Sequence, residues 1–187
     1  MSEFDVEAAL RSLRGFPTRA LARRTDDKLP FVNEGELGGQ ALLLDTCVYI
    51  DRLQGKAPVL VQQIMDARHN NHSAICIQEL AHTLGVLKPD DPRTAIVHQA
   101  ISEVLRSMPG HRILTPDADV LGRAAVLNGV LCRLQGYQKG QSRLRCLHDC
   151  TLYLQASKSG LVLLTRNIAD YDFCGQLVPG GKVLFYR

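Results

Sequence analysis

What this 187-residue chain lacks narrows its roles before any motif is considered. No apolar stretch approaches bilayer-spanning length, and the amino terminus has no basic-then-apolar secretion layout, so a cytoplasmic protein without a membrane partner is expected. Charge of one sign is nearly absent as a signal. A formal +3 is weak support for a polyanionic partner and decides nothing alone. The even cysteine framework of a small secreted domain is also missing. The six cysteines (Cys47, Cys76, Cys132, Cys146, Cys150, Cys174) lie mostly inside apolar segments, as free buried thiols do. Cys146, His148 and Cys150 raise the question of zinc, but on a helix the two cysteines share a face from which His148 points away.

What is present is an ordinary core-forming composition, 45% apolar and 22% charged, enough for one substantial domain. Leu42-Leu43-Leu44 is a short apolar run without polar alternation, the mark of a strand buried on both faces, and it ends abruptly on Asp45. Ligands of open α/β folds sit at the carboxyl ends of such strands, which makes Asp45 a catalytic candidate; an aspartate capping the next helix is the alternative. Thr46 to Leu53 then reads as a short helix stopped by Gly55, with Asp51 on its far side. A second helix starts at Pro58 and faces Leu60, Val61, Ile64 and Met65 inward.

Ser73 to Ile77 reads as the next buried strand, passing into a helix that carries Glu79 in its first turn, an address matching that of Asp45. Asp91 and Pro92 suit the N-cap and first position of a helix with Val97, Ile101, Val104, Leu105 and Met108 along one side. Arg112-Ile113-Leu114 is a short strand, and Val120, Ala124, Leu127, Leu131 and Leu134 line a further helix. Leu147-His148-Asp149-Cys150 opens another helix, with Asp149 in its first turn and Gly160 as its stop. Gly160 to Thr165 reads as an apolar strand followed by Asn167 and Asp170, and Val183 to Tyr186 as the edge strand. Strands alternating with helices predict an α/β sandwich with a central parallel sheet.

Two basic tracts lie outside this pattern. Residues 1–40 form an extension with Arg11, Arg14, Arg19, Arg23, Arg24 and Lys28, ahead of the domain at 41–187. Ser2 with Asp5 resembles a capping box, and Phe4, Val6, Leu10 and Leu13 make one face of a short helix. The extension is either an arm contacting nucleic acid or a partner, or a solvated segment docked by its few apolar residues. Gln135 to Gln141 reads as a loop, flanked by Arg133, Lys139, Arg143 and Arg145 around Tyr137. It is either a solvated loop or a place to hold a phosphate backbone and stack a base.

LLLDTCVYID, ICIQEL and LHDCTLYLQASKSGLVLLTRNIADYDF, in this order and spacing, resemble the PIN-domain ribonucleases, most nearly the VapC-type toxins of bacterial toxin-antitoxin modules. The resemblance spans about residues 41 to 187 and implies a PIN-like three-layer α/β/α sandwich. It also implies a metal site of Asp45, Glu79, Asp149 and Asp170, with Asn167 standing where some members have Asp. Thr46 and Thr165 match the hydroxyl positions beside the acids, and substrate contacts fall to these threonines, Asn167, Arg143 and Arg145. Tyr171 replaces the commoner Phe. Clustered carboxylates repel one another and make sense around a hard divalent cation, Mg2+ or Mn2+. The implied activity is endoribonucleolytic, on RNA, leaving 5'-phosphate and 3'-hydroxyl ends. The implied partners are a cognate antitoxin and a second copy of the chain, packed through helices at 56–69 and 77–87. The alternative is a PIN-like module kept for RNA or protein binding. A haloacid-dehalogenase-type phosphohydrolase needs a second Asp two residues after the first, where this chain has Cys47. A phosphoaccepting receiver domain needs an acidic pair before Asp45, which is absent.

Overall fold

In the structure, a computed structural model, the described residues are 3–137 and 141–187, with 141 and 142 described by backbone alone. Leu42–Leu44 form β1, whose side chains are all buried. The strand lies at the middle of a five-stranded sheet in the order β3-β2-β1-β4-β5, where β2 is Asn70–Ser73, β3 Ile113–Leu114, β4 Val162–Thr165 and β5 Lys182–Phe185. Every pairing is parallel, with Leu42, Leu43 and Leu44 in register with Val162, Leu163 and Leu164. Successive strands step outward to one side from β1 and then return to its other side. The strand order therefore reverses between β1 and β4, and the crevice at their carboxyl ends is where such sheets place ligands.

Eight α-helices among the described residues complete the three-layer α/β/α arrangement: α1 Val6–Leu13, α2 Thr46–Leu53, α3 Val59–Ala67, α4 Ala74–Val86, α5 Thr94–Ser107, α6 Ala118–Gln135, α7 Gln141–Lys158 and α8 Ile168–Leu177. The apolar series on α3, α5 and α6 face the core as their spacing predicts. None of the described helices is long and apolar enough to cross a membrane.

Several boundaries differ from the sequence reading. The second strand is the polar run Asn70–Ser73, and Ala74 to Ile77 already belongs to α4. A parallel ladder is built from backbone groups, so polar residues serve once their side chains are satisfied. Asn70 Nδ2 donates to Met65 O (2.7 Å) and Asn71 Nδ2 to Leu42 O (3.1 Å). Ser73 then caps α4 by accepting from Ile75 N at 3.1 Å. Glu79 consequently sits in the second turn of α4. Helix α7 begins at Gln141, so Asp149 lies mid-helix instead of in a first turn; the preceding Gln, Arg and Leu residues are good helix formers even without an apolar stripe. Helix α5 starts at Thr94, and Asp91 instead closes the preceding turn by accepting from Arg93 N at 2.9 Å.

The amino-terminal segment is docked. Asp5 caps α1 through Ala8 N (2.8 Å), while Val6 and Leu10 face solvent and Ala9 and Leu13 turn inward. Ser2, the other half of the expected capping box, lies outside the described residues. Phe4 lies against Gly122 of α6, where a Cβ would come within 2.4 Å of its ring. Arg24 N donates to the fully buried Asp172 at 2.7 Å, and its guanidinium pairs with the same carboxylate. Phe31 bridges Phe185, and Val32 N donates to Phe185 O (2.8 Å), so the segment runs beside the exposed edge of β5.

Candidate active site

Asp45 occupies both positions that the sequence offers it. It follows β1 directly and caps α2, its Oδ1 accepting from Thr46 N at 2.6 Å. The other oxygen faces β4, where Thr165 Oγ1 donates to it at 2.6 Å and Cys47 Sγ at 3.1 Å. Thr165 Oγ1 in turn accepts from Asn167 N at 2.9 Å, tying the turn after β4 to the turn after β1. Asn167 Nδ2 then reaches two carboxylates at once, Asp149 Oδ2 at 3.1 Å and Asp170 Oδ2 at 3.0 Å.

Glu79 joins the network from the opposite side. Thr46 Oγ1 donates to its Oε2, and His148 Nδ1 lies 2.6 Å from its Oε1. A carboxylate can only accept, so His148 carries its proton on Nδ1. One connected set of hydrogen bonds therefore runs Glu79, Thr46, Asp45, Thr165, Asn167, and on to Asp149 and Asp170. These residues come from α4, α2, α7, α8 and the ends of β1 and β4, and they meet at the β1/β4 crevice.

The electrostatics are those of crowded acids. Burial pushes Asp45 up from its ordinary value, aided by the Glu79 charge and opposed by the Thr165 and Cys47 hydrogen bonds. Asp149 is pushed well up, first by burial and then by the charges of Asp45 and Asp170. Burial also acts on Glu79, but its hydrogen bonds to His148 and Thr46 outweigh it and hold the group below its usual value. Burial and the Asp45 charge push the Cys47 thiol up, which keeps it a protonated donor to Asp45.

The donor set is chemically suited to a hard cation, since every candidate ligand is a carboxylate oxygen and the nearby charges are largely of one sign. Among the described residues, however, no three His, Cys, Asp or Glu side chains converge on one point suited to a metal. Thr46 and His148 hold Glu79, while Asn167 and Tyr137 hold Asp170. Asp45 and Asp149 also accept hydrogen bonds within the protein, Asp45 through both oxygens; Mg2+ keeps several waters and takes as few as one or two protein carboxylates, so the donor set suits that ion with water completing its shell.

The cationic candidates part company. Both Arg143 and Arg145 stand exposed on α7. Two residues apart on a helix, they point in roughly opposite directions. The charge of Arg145 reaches Glu79, whereas Arg143 borders a small cavity with Ala125 and Asn128 of α6. Tyr137 does not stand free for stacking, because its hydroxyl donates to Asp170 and its ring packs on the core. Lys139 lies outside the described residues.

His148, Tyr137 and Cys47 were not read from the sequence as partners of the acids. His148 does point away from the two neighbouring cysteines, and its direction is toward Glu79; Cys150 Sγ instead lies 3.9 Å from Cys174 Sγ in the core. Asp51 joins none of the hydrogen bonds of the acid set. It is buried, its Oδ2 accepting from Tyr186 OH and pairing with Arg166 Nε, each at 2.8 Å. A separate cavity of about 620 Å3 between α2, α3 and α5 contains none of the four candidate acids.

No family model matches the chain, and no curated protein does. Solved structures do match. VapBC2 from Rickettsia felis, bound to a DNA fragment from its promoter, aligns with a TM-score of 0.54 and 13% identity over 79% of this chain and 99% of that one. FitAcB from Neisseria gonorrhoeae aligns at 0.54 with 18% identity, covering 78% of this chain and 96% of that one. DNA-bound VapBC from Salmonella typhimurium aligns at 0.54 with 17% identity, covering 78% and 97%. At these identities the likeness is one of fold, and the fold is the PIN-like sandwich described above.

Proposed function

We propose that the chain is a divalent-metal-dependent endoribonuclease acting as the toxin of a toxin-antitoxin pair. The observation that carries the reading is the hydrogen-bonded set joining Asp45, Glu79, Asp149 and Asp170 at the β1/β4 crevice of a PIN-like sheet. Asp45 and Asp149 would hold Mg2+ or Mn2+, with Glu79 and Asp170 adding negative charge beside them. When bound, the ion lowers the pKa of water and offsets charge on the phosphodiester. Thr165 and Thr46 fix the carboxylate orientations, and Asn167 keeps Asp149 and Asp170 apart while offering its amide at the crevice. Arg145, beside Glu79, supplies positive charge for an approaching phosphate backbone. The products expected from the resemblance carry 5'-phosphate and 3'-hydroxyl ends.

The fold neighbours VapBC2, FitAcB and VapBC support a small protein partner. Exposed Val59 on α3 and Val86 on α4 support a homodimer packed through those helices. The cytoplasm is the compartment consistent with this reading. The test is incubation of an RNA pool with purified protein, with Mn2+ or Mg2+ or with chelator, beside Asp45→Asn. Metal-dependent 5'-phosphorylated fragments that vanish in the variant are the expected result. A second reading, a binding module that retards RNA without cutting it, is favoured by one observation: Glu79 and Asp170 are already held by protein donors. Retardation without fragments under every metal condition selects it.

A further inference from the structure

Arg166 lies between Thr165 and Asn167, at the rim of the acid crevice, and the sequence reading assigns it no role. Its side chain is half exposed, at 52%, yet one of its nitrogens is paired from below: Nε lies 2.8 Å from Asp51 Oδ2 in an ion pair. That carboxylate is fully enclosed and its same oxygen accepts from Tyr186 OH at 2.8 Å, with Tyr186 itself buried. The backbone is held too, Arg166 N donating to Cys47 Sγ at 3.3 Å. Among the described residues no hydrogen bond engages the two terminal nitrogens of the guanidinium. A counter-ion serving only to neutralise Asp51 would be expected to turn its fork onto the carboxylate and bury it. Here the guanidinium makes no hydrogen bond to the carboxylate it pairs with and half of the side chain stays exposed, which leaves its N–H groups available to the oxygens of a phosphate.

We infer that Arg166, positioned by Asp51 and Tyr186, is a binding residue for a phosphate of single-stranded RNA flanking the reacting one; this rests on the proposed ribonuclease reading for its substrate. Asp51 is six residues along α2 from Asp45, about 9 Å by helical rise, so Arg166 is placed for a neighbouring phosphate and not the scissile group. The order across the strand ends is Glu79, Asp45, Thr165, Arg166, Tyr186. With Arg145 near Glu79, the acids lie between two cations, which gives the RNA backbone an attractive contact on each side of a repulsive centre.

The experiment measures binding of a single-stranded oligoribonucleotide over a salt series in the Asp45→Asn background, and cleavage kinetics in the otherwise unaltered protein. Arg166→Gln is expected to weaken binding about tenfold and to flatten the salt slope by about 0.7. In cleavage it raises KM with kcat nearly unchanged. Arg166→Lys keeps the charge and therefore the slope, with intermediate affinity. Because Arg166→Gln leaves the buried Asp51 charge without its cation, Asp51→Asn/Arg166→Gln is measured in parallel and should show the same loss of slope in a chain that still folds. Unchanged affinity and slope in both variants would overturn the inference and leave Arg166 as a counter-ion, while cleavage by the parent keeps the nuclease reading. Weakened binding by the variants without cleavage by the parent would do the reverse. A parent that neither binds nor cuts RNA overturns both.

Discussion

Replacing Asp149 by Asn tests the acid cluster through stability, independently of any substrate. One amide nitrogen, Asn167 Nδ2, contacts both Asp149 Oδ2 at 3.1 Å and Asp170 Oδ2 at 3.0 Å, so those oxygens are at most about 6 Å apart. Two unit charges at ~6 Å repel by ~3 kcal/mol at an effective dielectric constant of ~20. Burial of Asp149 and the charge of Asp45 add to the penalty, while the shared amide offsets part of it. An asparagine keeps the volume, and its carbonyl can accept the same Asn167 hydrogen bond. In chelator at neutral pH, Asp149→Asn should therefore stabilise the fold by about 1–3 kcal/mol, or raise Tm by about 2–4 °C per kcal/mol for a chain of this size. Binding to the native state is what lifts Tm on adding Mg2+ or Mn2+, so that rise should shrink in the variant. Asp45→Asn should lose the same metal response and all cleavage; its effect in chelator is smaller, because the amide nitrogen replaces the one oxygen that accepts from both Thr165 and Cys47. The assay is a paired melting series with and without chelator. If Asp149→Asn loses stability in chelator and keeps its full metal-induced rise, the carboxylate is structural and the metal-site reasoning fails.

Asp51→Asn should cost about 1–2 kcal/mol in urea melts, since the amide still accepts from Tyr186 but the ion pair with Arg166 is lost; no loss would mean the pair contributes nothing. In chelator, stability should rise as pH falls from neutral. The raised pKa values of Asp45 and Asp149 make their ionised forms costly, and the cost disappears as pH drops through those values toward the unfolded value of 3.8. Glu79 has the opposite sign, its stabilisation being present above 4.5 and lost as pH falls through its lowered value, so a stability maximum on the acid side of neutral is expected by calorimetry.

The edge place of the last strand and the addresses of Asp45, Thr165, Asn167 and Asp170 at strand ends are legible, because an apolar run that stops on a polar residue is a local signal. Glu79 and Asp149 were assigned to the right cluster but the wrong turn. In Ala74-Ile75-Cys76-Ile77 the β-branched residues suit a strand by composition, yet Ser73 caps a helix there, and the true strand is polar because its asparagines bond to backbone carbonyls. The early start of α7 carries no apolar stripe, so periodicity could not reveal it. That Asp51 is enclosed is not legible from its place on the far side of α2; the residues that enclose it, Arg166 and Tyr186, are more than a hundred positions away, and no local pattern reports such a contact. His148 was assessed as a metal ligand, whereas its contact is with a ligand candidate on α4.

The segment before residue 41 separates two readings that its basic composition left open. If its main role were to touch nucleic acid, removing it would weaken RNA binding and leave the fold intact. Its contacts argue for a larger structural share. Arg24 pairs with Asp172, which is 0% exposed, and Leu29 lies in the core with Phe16, Leu21 and Phe31 packed against it. Full burial of one such side chain is worth about 1.5–3 kcal/mol, and leaving a buried carboxylate without its partner costs a further ~3 kcal/mol. Together these approach the ~5–15 kcal/mol that keeps a domain folded. Deletion of residues 1–40 would also uncover the backbone edge of β5 that Pro30 and Val32 now occupy. The truncated chain is therefore expected to be insoluble or to melt far below the parent, as read by soluble yield and Tm. By contrast, replacing the exposed Arg11, Arg14 and Arg19 together with Gln should leave Tm unaltered, and only this variant can report on nucleic-acid contact. A deletion that melts like the parent would show that the docked contacts contribute nothing, and would return the segment to the role of a free arm.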